Sequence, residues 1–231
     1  MSSSRLPGKV LLPIPLINGK PIIQWIIDEL RNSSFNGKVV IATSSNPENN
    51  ILYDYCLSHS ISCYRGDEED VLSRFIEIAK NERFDVIVRL TADNPLLDIT
   101  LLDKTIQYHL LKRNDYTSST GLPLGMNFEI ISPVALLSLQ KAATTKEEKE
   151  HVTPFLKKSN DYIKGEFKPI DSMIFKDIRL TIDYPSDFLV VSQVLELSNI
   201  FSLNGIAIVE KILLDYPWIF EGNSKNIQNS I

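Results

Sequence analysis

The chain has 231 residues, 43% of them hydrophobic and 23% charged, enough to bury one sizeable core. Its formal net charge of -5 argues against a general nucleic-acid binder, which presents a basic face. Cys56 and Cys63 have neither zinc-knuckle spacing nor a disulfide framework, and no apolar run reaches the length of a membrane span or signal segment, so a cytoplasmic protein with reduced thiols is expected.

In chain order, Ile22, Ile23, Ile26, Ile27 and Leu30 recur at helical spacing behind Pro21, which suits a first helical turn. Lys38 to Thr43 is a continuous apolar run ending in small polar residues and predicts a buried strand. Pro47 opens a second helix carrying Ile51, Leu52 and Tyr55; Ile61 to Tyr64 predicts a strand. A third helix holds Val71, Leu72, Phe75, Ile78 and Ala79, with Glu68, Glu69 and Asp70 at its dipole-favoured start. Asp85 to Leu90 predicts a strand, and Leu101, Leu102, Ile106 and Leu110 a helix. Strands alternating with helices of this length imply parallel βαβ units and a sheet covered on both faces.

The second half is less regular. Met126 to Ile131 and Ile178 to Asp183 predict strands; Val134 to Lys141, Glu147 to Lys158, Ser186 to Asn199 and Ile206 to Tyr216 predict helices. Pro154 should end or kink the second of these helices. Residues 1–221 read as one domain, and residues 222–231 as a polar, frayed tail.

Ligands of open parallel sheets bind beyond the carboxyl ends of the strands. Asp93 in RLTADNPLLD and Asp183 in RLTIDYPSD each follow an apolar strand and sit near a proline. Two carboxylates so placed either share a hard cation such as Mg2+ or each cap the following helix. At the opening, SSSRLPGK gathers hydroxyls, Arg5, Gly8 and Lys9, a set able to cradle phosphates. It is not a Walker A loop, because Val10 follows the lysine. By itself the segment reads rather as a disordered basic end.

Taken in order, SSSRLPGKVLLPI with GKPII, VVIATSSNPENN, YRGDEEDVLSRF, VIVRLTADNPLLD, GMNFEII, KEHVTPF and IRLTIDYPSD resemble successive motifs of the acylneuraminate cytidylyltransferase family, in its spore-coat-polysaccharide branch, over roughly residues 1 to 195. The resemblance implies an α/β, Rossmann-like nucleotidyltransferase fold: a mostly parallel sheet flanked by helices, here with its first strand missing. It implies transfer of a cytidylyl group from CTP to a sugar or sugar acid for surface polysaccharide, with Mg2+ as cofactor and pyrophosphate released. It allows a homodimer.

Carried over by residue, Arg5 and Lys9 match the phosphate-binding pair of RLPGK, with Ser3 and Ser4 beside them. Asp93 and Asp183 match the metal-binding aspartates. Arg65 and Arg89 are implied nucleotide or phosphate contacts, and Ala42, Thr43 and Ser44 lie where the base would be read. Asn127, Glu129, Glu150 and His151 match positions that face the sugar; His151 either orients substrate or packs beside a helix kink.

The match departs in three places. Family members carry an apolar strand and a Gln-Ala-Arg stretch ahead of the motif that starts here at Met1, so an upstream start is expected; loss of that strand would expose apolar surface and unpaired backbone. Ser2 and Ala92 replace glycines, where a Cβ could obstruct the nucleotide. Asn127 replaces an aspartate, which leaves the acceptor open. These departures motivate an alternative, a non-catalytic relative that binds a nucleotide or a partner. A different base, UTP or GTP, is a further alternative.

Overall fold

In the computed structural model, which describes residues 5–170 and 173–228, the apolar stripe behind Pro21 forms helix α1 (Ile22–Leu30), burying Ile22, Ile23, Ile26 and Ile27. A short antiparallel hairpin, β1 (Pro13–Ile14) and β2 (Lys20–Pro21), precedes it. The predicted alternation follows: β3 (Val40–Ser44), α2 (Asn50–Ser58), β4 (Ser62–Gly66), α3 (Val71–Asn81), β5 (Ile87–Arg89) and α4 (Ile99–Lys112). Pro47 starts a 3-10 turn over Pro47–Asn49, and α2 begins after it. Asp70 caps α3 by accepting from the Ser73 amide at 2.8 Å, and Asp98 caps α4 by accepting from the Leu101 amide at 2.9 Å.

The rest of the chain adds β6 (Tyr116–Ser119), β7 (Glu129–Ile131), α5 (Pro133–Ala142), α6 (Lys146–His151), α7 (Pro154–Lys158), β8 (Lys164–Phe167), α8 (Pro185–Phe201) and α9 (Gly205–Asp215). One predicted element breaks where expected and another changes. The helix expected over Glu147 to Lys158 is broken into α6 and α7, because Pro154 has no amide to donate. The strand expected over Ile178 to Asp183 is an extended segment with a single bridge, Leu124 to Arg179. Its backbone bonds go to two loops: the Leu180 amide to Leu124 O at 2.8 Å and the Ile182 amide to Asp93 O at 2.9 Å. Strands β6 and β8 escape a pattern search because Tyr-Thr-Ser-Ser and Lys-Gly-Glu-Phe lack an apolar run.

The architecture is α/β with helices flanking the strands, as expected, but the strand directions are mixed. Strands β3 and β4 pair in parallel, as do β6 and β8; β7 runs antiparallel to both β5 and β6. Among the described residues β3 pairs with β4 alone and β5 with β7 alone, so the sheet is divided between β3 and β5. Both unpaired edges line one apolar cleft of about 440 Å³, walled by Ile23 and Ile26 of α1, Phe75 of α3 and Leu102 of α4.

The largest buried cluster joins α1, α4, α8 and α9 through residues such as Ile26, Leu102, Val191 and Val209. Among the described residues no single helix is long and apolar enough to cross a membrane.

Candidate active site

The basic turn is made by Gly8, which sits at φ 70° where a residue with a Cβ would be strained. The Leu11 amide then reaches back to Gly8 O at 3.0 Å, and the turn projects Lys9 inward. Lys9 Nζ donates to Asp93 Oδ2 at 2.8 Å, to Asp183 Oδ1 at 3.0 Å and to Ile182 O at 2.6 Å. Arg5 Nη2 lies 3.2 Å from the same Asp183 oxygen. Arg5 Nη1 also donates to the Tyr184 hydroxyl at 3.1 Å, and its guanidinium lies over the Tyr184 ring. The expected quartet of Arg5, Lys9, Asp93 and Asp183 therefore forms one constellation from three distant segments.

Burial pushes the Asp183 carboxyl up, but the Lys9 hydrogen bond and charge, then Arg5 and Arg179, outweigh it and hold the group below the ordinary carboxylate range. The Tyr184 hydrogen bond and, against a cost of burial, the Asp183 charge raise Arg5. Asp93 takes a further bond from the Thr91 hydroxyl at 2.6 Å. Neither aspartate is a helix cap: α4 is capped by Asp98, and the amides of Asp183 and Tyr184 are taken by Asp187.

Two carboxylates whose oxygens share one ammonium within 3.0 Å form a cation-binding pair, and hard oxygen donors of this kind suit Mg2+ completed by water and phosphate. Among the described residues no three His, Cys, Asp or Glu side chains converge into an all-protein metal nest.

Behind Asp183 lies a pair not anticipated from the sequence. Arg179, 5% exposed, donates from Nε to Asp187 Oδ1 at 2.9 Å and from Nη2 to Asp183 Oδ2 at 2.7 Å. Asp187 is fully buried, and against the cost of burial its hydrogen bonds keep it ionised. The signal was present: an arginine and two aspartates at four-residue spacing inside an apolar stretch require one another once buried.

The carboxyl ends of β3 and β4 open on a polar cavity of about 410 Å³ lined by Thr43, Ser44, Asn49, Glu68, Arg74 and Glu150. Arg74 is 8% exposed; Nη1 donates to Ala42 O and Nη2 to Glu68 O, each at 3.3 Å, while Nε has no hydrogen-bond partner. Burial lowers its pKa against the raising charges of Glu68, Asp67 and Asp70. Sequence reasoning missed it, although a cation within the apolar stripe of α3 was the clue. Arg65 ties β4 to the loop after β3, donating to Ser44 O at 3.2 Å and Asn46 O at 3.1 Å.

The implied sugar-facing residues separate, and Arg89, an implied nucleotide or phosphate contact, pairs with one of them. Arg89 and Glu129 are register partners on β5 and β7 and form an ion pair at 2.6 Å, so each is spent on the other. Glu129 also accepts from the hydroxyls of Tyr116 at 2.7 Å and Thr153 at 2.9 Å, and pairs with Lys157 at 3.1 Å. Burial opposes its ionisation; Arg89, Lys157 and Tyr116 overcome that and lower its pKa. Asn127 is exposed and donates to Leu122 O and Pro123 O, whereas Glu150 stands on the wall of the polar cavity. His151 is half-buried at the end of α6. Next to it Val152, fully buried, holds φ 70° and ψ -50° in a γ-turn closed by the Thr153 amide on His151 O at 2.8 Å. That turn aims the Thr153 hydroxyl at Glu129. Ala92, half-buried, packs against the cluster of Ile23, Leu52 and Cys56. Ser2, Ser3 and Ser4 lie outside the described residues.

Comparison with known proteins finds relatives along most of the chain. A family profile described as cytidylyltransferase matches residues 1–212. An uncharacterized protein of Methanocaldococcus jannaschii is 35% identical over 207 residues, 89% of this chain and 83% of that protein. The spore coat polysaccharide biosynthesis protein SpsF of Bacillus subtilis is 33% identical over 194 residues, 81% and 80% of the two chains. The solved structure of a cytidylyltransferase from Leptospira borgpetersenii superposes with a TM-score of 0.85 at 26% identity, covering 100% of this chain and 95% of its own. With a nucleotidyltransferase fold and this match along most of its length, the chain belongs to the cytidylyltransferase family.

Proposed function

We propose that the chain transfers a cytidylyl group from CTP to a sugar or sugar acid destined for a surface polysaccharide, with Mg2+ and release of pyrophosphate. The observation that carries this reading is Lys9 held between Asp93 and Asp183 with Arg5 alongside. Four charges of alternating sign at one point suit a triphosphate and its counter-ion, because in-line attack on phosphorus needs positioning and charge neutralisation above all.

Arg5 and Lys9 would turn their donors to the phosphate oxygens, with Lys9 exchanging a carboxylate for a phosphate. Asp93 and Asp183 would hold the Mg2+, which when bound withdraws charge from those oxygens. The polar cavity beyond β3 and β4 fits the base: Thr43, Ser44 and the backbone there offer donors and acceptors, and Arg74 an unused N–H. Asn127 and His151 are left to meet the acceptor, with Glu129 shaping the wall behind them.

The test is pyrophosphate release with CTP and a panel of sugar acids, for the parent and for Asp93→Asn and Asp183→Asn. Each substitution is expected to lower turnover at least about a hundredfold in a folded protein. Absence of both turnover and CTP binding in the parent would refute the proposal. CTP binding without turnover on any acceptor would favour the non-catalytic relative.

A further inference from the structure

The segment after the 3-10 turn Pro217–Asn223, expected from its polar composition to fray, is instead bonded through Gln228 to the back of the Asp183 turn. Asn223 is 2% exposed and donates from Nδ2 to Arg179 O at 3.0 Å and to Asp187 Oδ1 at 2.9 Å. Asn226 Nδ2 reaches Asp187 Oδ1 and Ser186 Oγ, each at 2.8 Å. Gln228 Oε1 accepts from Arg179 Nη1 at 2.6 Å.

These contacts bear on catalysis through one guanidinium. The Arg179 fork is planar, with N–H directions fixed relative to one another. Asp187 holds Nε through Oδ1 at 2.9 Å and Nη2 through Oδ2 at 3.2 Å, and Gln228 takes Nη1 on the opposite side, so the fork is fixed at both ends while Nη2 also donates to Asp183 Oδ2 at 2.7 Å. Asp183 Oδ1 is thereby presented to Lys9 and Arg5. Asn226 and Asn223 in turn hold the Asp187 oxygen that receives Nε, while the other Asp187 oxygen takes the amides of Asp183 and Tyr184, each at 2.9 Å.

We propose that Asn223–Gln228 is a clasp that positions Asp183, with Asn226 and Gln228 as positioning residues acting through Asp187 and Arg179. The clasp rests on the reading of Asp183 as a metal and phosphate residue for its consequence, although not for its geometry. Its loss removes the acceptor on Nη1 and a donor that holds Asp187, which loosens the guanidinium and with it the direction it gives the Asp183 carboxylate.

Full-length Asn226→Ala/Gln228→Ala and Gln228→Glu are compared with the parent. In the double variant, amide hydrogen exchange at Asp183 and Tyr184 should accelerate at least about fivefold while amides of Val190 to Leu195 in α8 stay unchanged. The Mg2+ concentration for half-maximal pyrophosphate release should rise about fivefold or more, with KM for CTP within about twofold, because a ligand carboxylate has lost its orientation. Gln228→Glu retains an acceptor for Arg179 and should behave as the parent in both readouts. A lowered melting temperature with unchanged exchange at Asp183 and Tyr184 overturns the clasp, as does acceleration spread evenly along α8, since either marks a simple anchor. The exchange measurement needs no turnover, so a chain without cytidylyltransferase activity would sink the proposed function while the clasp is still judged on its amides.

Discussion

Lys9 joins the two carboxylates of the candidate site, and Lys9→Met measures what that bridge is worth. Its ammonium is 2.8 Å from Asp93 and 3.0 Å from Asp183, with the three side chains 11%, 23% and 12% exposed. At an effective dielectric constant near 20, each pair is worth about 5 to 6 kcal/mol gross, most of it offset by desolvation. Removal leaves Asp93 with the Thr91 hydroxyl and no cation, facing a second carboxylate that retains Arg5 and Arg179. The net loss should be about 3 kcal/mol in urea unfolding, or about 6 to 12 °C in melting temperature for a chain of this size. Adding Asp93→Asn removes the stranded charge, so the double variant should recover about 1 to 2 kcal/mol relative to the sum of the singles. Mg2+ should raise the melting temperature of Lys9→Met more than that of the parent, by restoring a cation to the pair. Additivity within about 0.5 kcal/mol, or an equal response to Mg2+, would refute the reasoning.

Three other substitutions test neighbouring features. Because the folded pKa of Glu129 is depressed, its contribution is complete above the unfolded value, 4.5, and is lost as pH falls through the folded one. Glu129→Gln should therefore be less stable near pH 7 by about 2 to 4 kcal/mol, through the stranded Arg89 and Lys157, and should flatten the acid limb of a urea-midpoint profile below about pH 4.5. An unchanged limb would discount the buried charge. At Val152 the positive φ costs about 1 to 3 kcal/mol, so Val152→Gly should cost no more than Val152→Ala although it removes more side chain; a glycine clearly worse than alanine in urea melts would show no strain there. Arg74→Met should raise KM for CTP about tenfold or more, and Arg74→Lys should not rescue it because the fork is lost; unaltered binding by titration calorimetry would remove the base from this cavity.

The sequence by itself determined the alternating strands and helices of the first half, since apolar runs and amphipathic stripes report burial locally, as in Ile22 to Leu30 and Val71 to Ala79. It also identified Arg5, Lys9, Asp93 and Asp183 through motif order, and the break at Pro154 through the missing amide. Polar strands such as Tyr116–Ser119 were not legible, because their stability comes from partners far along the chain rather than from their own pattern. The extended Ile178 to Asp183 segment reads as a strand because burial, not pairing, makes it apolar. Tertiary structure alone decided that Lys9 lies between the two aspartates, that Arg89 and Glu129 neutralise each other, and that Gln228 grips Arg179. Each of these is a charge or amide satisfied across a long loop, and a composition that looks solvated becomes ordered only when the fold brings it a buried partner.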